Sequence, residues 1–422
     1  MKINRIAGIA ALLTAGFAQA QAPSVKFDGA LVEFWYTQMV DNNLRNNSLP
    51  SVATAPGLGK YYDGMSSSRF TENTFAIKRA EVYMSGKVTD DVSWNVMFDP
   101  NNSNTTTVPN NVLQDAVITW VPAKGFTIKA GQFKMPTTYE ATIVSAREIL
   151  FFDRNQLNRQ FGDKRDRGVW LSYGYGDPQG FQGKVNLAVS NGTTEDGSGG
   201  KNNDSNAQKD WTFRFEGGFG PQHKFGAYYR EGVSALKTST FSPAVVNAAW
   251  TVNAPTAQQV KDNADKTTLQ GVYYAFDNTD WHFDAEFATG LLGRRFASLN
   301  TWSREHLDQK YLGYAVTGVY KMGAHWLLAR YDMLNYNSGD KWYTAYNPYK
   351  ESAPGVATGN DYTPKYTEIT VGYNYLFVPT KQTLGKVKLD YILRSKNFLA
   401  PRAGQTGEQG GSSVVASLMV AF

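Results

Sequence analysis

The sequence predicts an all-β protein, a sixteen-stranded antiparallel transmembrane β-barrel with long outer loops and short periplasmic turns. Ribbons of alternating apolar and polar residues recur along the chain, and the segments between them alternate between short and long. The last residues form a further apolar ribbon that ends at Phe422. Because a closed barrel pairs every backbone amide within the protein, it can cross a bilayer without a single long apolar segment.

The N-terminal segment, residues 1–20, is predicted to be a signal peptide. Lys2 and Arg5 provide a short positive region, residues 6–17 form an apolar run, and Ala18-Gln19-Ala20 has the small-x-small pattern of a cleavage site. The apolar run is shorter than a membrane-spanning helix requires. We therefore expect the barrel to be formed by the mature chain, residues 21–422.

Composition restricts the compartment and the partners. Of the 42 Lys and Arg residues, two lie in the predicted signal peptide, so 40 basic residues face 37 acidic ones in the mature chain. This balance does not indicate nucleic-acid binding, which requires a concentrated basic surface. The chain has no cysteine, so an exported fold must depend on packing or on a closed sheet. Aromatic residues make up 14% of the chain although its mean hydropathy is negative, which suits an apolar belt around a polar interior.

The alternating ribbons define the predicted strands. In residues 92–98 and again in residues 281–287, every second residue is apolar and the residues between them are largely polar. Successive side chains of a strand point to opposite faces, so each ribbon has one apolar and one polar face. No segment after residue 20 approaches eighteen apolar residues, which excludes helical spans. The ribbons start near residues 24, 75, 92, 112, 126, 168, 182, 210, 223, 267, 281, 311, 325, 365, 385 and 413.

The connections between these ribbons alternate in length. This rhythm is typical of outer-membrane barrels, which have tight periplasmic turns and extended outer loops. A soluble sandwich has no reason to place a long loop at every second connection. The short connections include residues 89–91, 122–125, 218–221, 278–279 and 322–324. The long ones cover about 39–74, 100–111, 135–167, 191–209, 232–266, 290–310, 334–364 and 395–412.

The C-terminal ribbon supports closure of the barrel. Val414, Ala416, Leu418, Val420 and Phe422 form one face of a strand that runs to the end of the chain. An open sheet edge cannot persist in lipid, so this last strand is expected to pair with the first. A terminal aromatic residue also suits the aromatic girdle at the membrane interface.

Several fragments resemble the phosphate-selective porin O and P family in sequence and in order. They are Phe75–Ala80, Gly86–Val88, Phe98-Asp99, Asp115-Ala116, Gly131–Pro136, Glu140, Ile149–Arg154, Arg167-Gly168 and Gly372–Tyr375. The similarity extends over nearly the whole mature chain and is densest over residues 75–170. It implies a sixteen-stranded outer-membrane porin, usually a homotrimer, whose third outer loop folds inward and narrows the pore.

In this chain the third loop would be residues 135–167, the predicted constriction loop. It contains six basic and five acidic residues, so its charges almost cancel. The run Ile149–Phe152 is apolar. A solvated loop would have little use for that run, whereas a loop folded against the inner wall would bury it. An ordinary surface loop is the alternative interpretation.

The resemblance also implies candidate residues for an anion path. In anion-selective members of the family, basic residues of the second strand and of the inward loop form such a path. Carried over by motif position, these are Arg79, Arg147 and Arg154, with Arg165 and Arg167 near the return of the loop. Guanidinium groups suit phosphate or carboxylate because their donors match two oxygens at once. The same arginines have an alternative role, which is to tie the loop to the wall.

Alternation in the second strand places Arg79 on the lumen side, residues 80, 82 and 84 on the lipid side, and Lys78 at the rim. Two departures from the family argue against a high-affinity phosphate channel. The paired arginines of the family are Lys78-Arg79 here, and the lysine expected after Glu140 is Ala141. We therefore expect passive diffusion of small hydrophilic solutes, with an anion preference set by the constriction arginines.

Two other function classes remain open, a secreted or surface β-rich binding protein and an outer-membrane hydrolase. A hydrolase has little support, because the four histidines lie in no nucleophile motif and neither Gly-x-Ser-x-Gly nor His-Glu-x-x-His occurs. No catalytic, cofactor or metal site is predicted. The expected partners are small anionic or polar solutes and outer-membrane lipid.

Overall fold

The structure, a computed structural model, describes residues 24–39, 74–101, 112–192, 208–234, 265–292, 309–335, 338, 365–395 and 411–422. The predicted signal peptide, residues 1–20, lies outside the described residues. Among the described residues, no helix has the length and apolar character that crossing a membrane would require.

Sixteen strands form one closed antiparallel barrel in which each strand pairs with its neighbours in sequence and β1 pairs with β16. The predicted fold class is therefore confirmed, and the predicted strand starts lie within about three residues of the observed ones. The strands are β1 Lys26–Met39, β2 Thr74–Lys87, β3 Val92–Phe98, β4 Leu113–Ala123, β5 Phe126–Lys134, β6 Arg165–Gly176, β7 Phe181–Ser190, β8 Asp210–Phe219, β9 His223–Ser234, β10 Asp265–Asp277, β11 Trp281–Leu292, β12 Gln309–Met322, β13 His325–Asn335, β14 Lys365–Leu376, β15 Gly385–Arg394 and β16 Gly411–Ala421.

The two faces of the barrel wall differ in polarity. On β13, Leu327 and Tyr331 are exposed on the outside, whereas Arg330 and Asp332 are buried on the inside. A soluble protein has the opposite arrangement, with apolar side chains inside and charges exposed. An apolar outside around a charged interior is the arrangement that lipid requires of a barrel.

Long and short connections alternate as the sequence predicts. The short turns, such as residues 124–125, 278–280 and 323–324, all lie at one end of the barrel, together with the start of β1 and the end of β16. The strand ends that the long connections join lie at the other end, and most residues of those connections fall outside the described ranges. Residues 135–164 between β5 and β6 are a fully described long connection.

The barrel closes between β1 and the C-terminal strand. The Ala30 amide donates to the Phe422 carbonyl at 3.1 Å, and the Phe422 amide donates to the Ala30 carbonyl at 3.2 Å. Gly29 beside this pair has a φ of +116°, and a Cβ there would lie 1.5 Å from the Phe422 oxygen. A side chain at residue 29 is therefore incompatible with this closure. Phe422 itself is exposed at the outer surface, as predicted.

The connection between β5 and β6 folds into the barrel. We call residues 135–164 the inward loop, since β6 already begins at Arg165 and not after residue 167 as the sequence suggested. The loop contains a short helix, α1 Tyr139–Thr142, a 3-10 turn at Ala146–Glu148 and a π-helical turn at Asn158–Gly162. Its backbone polar groups would be costly to bury unpaired, so its partners on the wall determine its position.

Candidate functional site: the passage beside the inward loop

The apolar run of the inward loop is buried against the inner wall, as the sequence predicted. Phe151 packs among apolar side chains of β12, β13 and β14, which include Leu328 and Leu376. Phe152 packs between Trp35 on β1 and side chains of β15 and β16. Burying an aromatic side chain of this size contributes about 1.5–3 kcal/mol. These two residues therefore anchor the middle of the loop to the wall.

Polar wall side chains bind the backbone of the same run and of Asp153, the residue that follows it. They lie on three consecutive strands, and together they satisfy donors and acceptors that would otherwise be buried unpaired. Asn374 donates to the Leu150 carbonyl at 2.8 Å, Lys388 donates to the Phe151 carbonyl at 3.1 Å, Asp390 accepts from the Phe152 amide, and Arg330 donates to the Asp153 carbonyl at 2.8 Å.

A buried carboxylate further along the same wall, on β11, holds the two helical turns of the loop. Glu286 on β11 accepts from the Tyr139 amide at 2.7 Å and from the Asn158 side-chain amide at 2.8 Å. The Tyr228 hydroxyl on β9 donates to the same carboxylate at 2.9 Å. Glu286 thereby connects α1 and the π-helical turn to the wall. Arg214 on β8 donates to the Thr137 carbonyl, so these groups together with Phe151 and Phe152 hold the loop against the wall from β8 through β16 to β1.

Space remains between the loop and strands β2 to β5. A cavity of about 330 Å³ lies there, and a second one of about 350 Å³ adjoins it, with Tyr83 and Ser145 lining both. We call the two cavities together the passage. Its charged lining comprises Lys78, Arg79, Glu81, Asp99, Asp115, Lys134, Asp163 and Arg165 in the first cavity, and Asp28 and Arg147 in the second.

Most cations of the passage are paired with carboxylates. Arg79 lies 3.3 Å from Glu33 and 3.5 Å from Glu81. Arg165 donates to Asp115 at 2.8 Å, and Lys134 lies 2.7 Å from Asp163. Burial raises the pKa of Asp163, but the nearby charges of Lys134, Arg154 and Arg165 outweigh it and hold that pKa well below its usual range. The passage is therefore densely charged but nearly neutral.

A β-bulge places two consecutive basic residues inside the barrel. Glu33 pairs with Arg79 and Phe34 pairs with Ile77, so Lys78 is the extra residue of β2. Lys78 lies 2.8 Å from Asp153 in the loop and 3.5 Å from the centre of the Phe152 ring. The expectation that Lys78 lies at the rim was wrong, because alternation does not anticipate a bulge. Arg79 faces the lumen as expected.

Arg147 lies on the second cavity of the passage. Its guanidinium lies over the Tyr83 ring, 4.5 Å from the ring centre, and the side chain is partly exposed. Within the described part of the chain, Arg147 forms no ion pair. Of the three carried-over arginines that line the passage, Arg79, Arg147 and Arg165, it is the one without a carboxylate partner among the described residues.

Arg154 does not face the passage, contrary to the expectation from the sequence. Its side chain is only 2% exposed. It donates to the Glu140 carbonyl and, at 3.1 Å, to the Val144 carbonyl, and so joins two segments of the loop. The Glu140 carboxylate accepts from the Asn155 amide at 2.7 Å. Arg154 therefore stabilises the folded loop, the structural role that the sequence left as an alternative.

The two arginines at the start of β6 have different surroundings. Arg165, the first residue of β6, lines the passage beside Asp115, although strand alternation alone would place it on the outer face. Alternation along β6 places Arg167 on the same face as the exposed residues Val169 and Tyr173. Its guanidinium donates to Gln132 at 3.2 Å. It therefore lies on the outer face of the barrel and not along the lumen. The sequence placed it in a loop, where alternation does not apply.

The sequence interpretation missed several residues of this site. Lys134 lines the passage, and Glu33, Glu286 and Lys388 hold the loop or the wall beside it. The sequence does indicate that Glu286 faces the lumen, because it lies between apolar residues in an alternating ribbon. Which lumenal carboxylate meets the loop depends on contacts across the barrel, which no local pattern contains.

Comparison with known proteins supports a porin-type barrel. The outer membrane channel DcaP of Acinetobacter baumannii superposes with a TM-score of 0.55 at 12% identity, over 95% of this chain and 97% of that chain. OmpT of Vibrio cholerae, an outer membrane protein solved in a trimer form, gives 0.53 at 12% identity, over 95% and 100%. An anion-selective porin from Comamonas acidovorans gives 0.50 at 10% identity, over 95% and 100%.

These identities establish the fold alone, and no curated protein matches the chain in sequence. The family model described as phosphate-selective porin O and P, in contrast, matches residues 60–422, which is most of the chain. This match agrees with the closed sixteen-stranded barrel, its apolar outer surface and the loop inside it. The chain therefore belongs to the phosphate-selective porin O and P family and is a channel protein of the bacterial outer membrane.

Proposed function

We propose that small hydrophilic solutes diffuse passively through the passage beside the inward loop, with a mild preference for anions. The observation that carries this proposal is the position of the loop, which is held against β8 to β16 and leaves space beside β2 to β5. In this view residues 135–164 act as the constriction. Solutes then pass close enough to the lining charges for those charges to select among them.

The selectivity is mild because the lining is compensated. Arg79, Arg165 and Lys134 each lie within 3.3 Å of a carboxylate oxygen. A channel that concentrates phosphate strongly requires a less balanced field. We therefore favour general diffusion with an anion bias over high-affinity phosphate uptake.

Arg147 supplies the anion bias in this proposal. Its guanidinium is stacked on Tyr83 and not paired with a carboxylate among the described residues, so its donors remain available to a passing anion. Lys134 and Arg165 contribute less, because their carboxylate partners screen them. Arg154 and Arg167 contribute nothing to the path, since one is buried within the loop and the other lies on the outer face.

We also propose that the mature protein, residues 21–422, assembles as a homotrimer and has no enzymatic activity. The trimer form of OmpT from Vibrio cholerae, a structural neighbour of the chain, supports the assembly. The family match and the porin neighbours indicate a channel, for which a hydrolytic site is not required. Chemical cross-linking of the protein in detergent, followed by heat dissociation, tests the trimer directly.

The reversal potential in planar bilayers with unequal KCl concentrations tests the selectivity. Wild-type protein is expected to show a modest anion preference that added phosphate changes little. Arg147→Gln should reduce this preference, whereas Arg167→Gln, an equal change of charge on the outer face, should not. A cation preference of the wild type, or equal effects of the two substitutions, would contradict the proposed role of Arg147.

A further inference from the structure

A tryptophan on the inner wall lies beside two lysines. Trp170 on β6 has the Nζ of Lys129 4.8 Å from its ring centre and the Nζ of Lys184 5.9 Å from it. The indole nitrogen donates to Asn186 at 3.1 Å, which fixes the orientation of the ring. All three side chains are half-buried, so they remain partly accessible from the lumen.

The carboxylates nearest these lysines are engaged elsewhere. Glu216 lies directly opposite Lys184 in the β7–β8 register, yet it accepts from Arg214 at 2.9 Å and from Asn186 at 3.3 Å. Asp115 is paired with Arg165 at 2.8 Å. In the part of the chain that the structure describes, neither Lys129 nor Lys184 forms an ion pair. The two ammonium groups thus lack a direct carboxylate partner among these described residues, unlike the paired cations of the passage.

The position of this cluster separates it from the passage. Lys129 and Lys184 lie close to the starts of β5 and β7, next to the short periplasmic turns. The inward loop leaves from the other end of β5. Thr119 lies opposite Lys129 in the β4–β5 register, and Ser172 is the next residue of β6 on the same face as Trp170. Hydroxyl groups therefore border the cluster. A solute that has crossed the constriction reaches this wall before it leaves the pore.

We infer that Lys129, Trp170 and Lys184 form a binding site for small carboxylates that carry a flat ring, of which aromatic carboxylates are the simplest class. The two ammonium groups pair with the carboxylate, and the indole, released from its cation contacts, stacks against the ring of the solute. The inference rests on the channel function proposed above, because a solute reaches this wall only through the pore. Such a site would select among anions by their rings, in addition to the anion preference that charge alone sets.

Block of the ion current by benzoate in planar bilayers tests the inference, with acetate as the ringless probe. Benzoate is expected to reduce the conductance at concentrations about tenfold lower than acetate, since ring stacking adds to the shared charge contact. Lys129→Gln/Lys184→Gln should weaken the block by both anions. Trp170→Leu, which keeps an apolar side chain but removes the ring, should weaken the block by benzoate alone. Lys124→Gln, in the exposed β4–β5 turn, is the charge-matched control and should change neither.

The outcomes separate this inference from the channel function. Wild-type protein that conducts but is blocked equally by benzoate and acetate would overturn the inference and leave the channel intact. An unchanged benzoate block in Trp170→Leu would also overturn it. Folded protein that does not conduct at all would contradict the proposed function itself. Heat-modifiable migration in cold detergent confirms that each variant is folded before its current is measured.

Discussion

Lys388 on β15 and Glu33 on β1 form a buried ion pair, 2.6 Å apart, across the seam where the barrel closes. The same ammonium group donates to the Phe151 carbonyl of the inward loop at 3.1 Å. Glu33 also lies 3.3 Å from Arg79, which lines the passage. A single carboxylate–ammonium pair thus joins the seam, the loop and the site.

Removing one member of this pair is expected to destabilise the barrel. Glu33→Gln leaves Lys388 buried without its acidic partner, which costs about 3–5 kcal/mol for a buried ion pair. The double substitution Glu33→Gln/Lys388→Met removes both charges and should recover much of that loss. Urea unfolding in detergent micelles measures both free energies. Equal stability of the single variant and the wild type would show that the pair is unimportant.

Glu286→Ala is expected to release the inward loop from the wall. The substitution removes a buried acceptor that two loop groups share, and each such hydrogen bond contributes about 0.5–1.5 kcal/mol. The single-channel conductance and its noise should both increase, because the loop then samples positions away from β11. Glu231→Ala, on the partly exposed end of β9, serves as the control. A conductance trace identical to wild type would contradict the anchoring role of Glu286.

Gly29→Ala is expected to impair closure of the barrel. The new Cβ would overlap the Phe422 carbonyl oxygen, and the φ of +116° disfavours any side chain. Gly318→Ala provides a matched control, because no atom lies within 4 Å of a Cβ at that strand position. The fraction of heat-modifiable, folded protein after refolding measures the effect. Gly29→Ala should lower this fraction strongly and Gly318→Ala little; equal yields would indicate that the seam adapts.

Asp163→Asn is expected to increase the anion preference at neutral pH. It leaves Lys134 and Arg165 in the passage without a carboxylate that they now share. Acidification of the wild type from pH 7 to pH 5 should not reproduce this effect through Asp163. Its pKa lies well below the usual value, so the group stays charged throughout that range and loses its charge only at still lower pH. The reversal potential at both pH values is the measurement.

A change in the wild-type reversal potential between pH 7 and pH 5 that Asp163→Asn does not show would contradict this assignment, because it would mean that Asp163 is protonated well above its depressed pKa. Asp91→Asn, in the short β2–β3 turn outside the passage, removes the same charge and should leave the reversal potential unchanged. The two substitutions together separate a local effect in the passage from the change in overall charge.

The strands and their order were predictable because they depend on local alternation. Residues 281–292 alternate regularly, and β11 begins at the predicted Trp281. The burial of Phe151 and Phe152 was also predictable, since an apolar run in an otherwise charged loop has to find an apolar surface. The side chains that they pack against were not predictable, because these come from β1 and from β12 to β16 and so lie far apart in the chain.

The candidate site was predicted less well than the fold. Arg79, Arg147 and Arg165 line the passage, whereas Arg154 is buried in the loop and Arg167 faces outward. Motif position selected the candidate arginines, but it contains no information on which atoms their side chains contact. Lys78 shows the reason, since one bulge in β2 reverses the side of the wall that alternation assigns to it.

The sequence by itself determined the sixteen strands, the two faces of each and the ends at which the loops lie, because a period of two residues is a property of the local chain. Only the tertiary structure decided which charges remain uncompensated. Closing the sheet brings Glu33 to Lys388, and pairing of β5, β6 and β7 brings Lys129 and Lys184 beside Trp170 without a direct carboxylate partner in the described part of the chain. Pairing of charges depends on distances across strands and across the lumen, and those distances exist only once the barrel is closed.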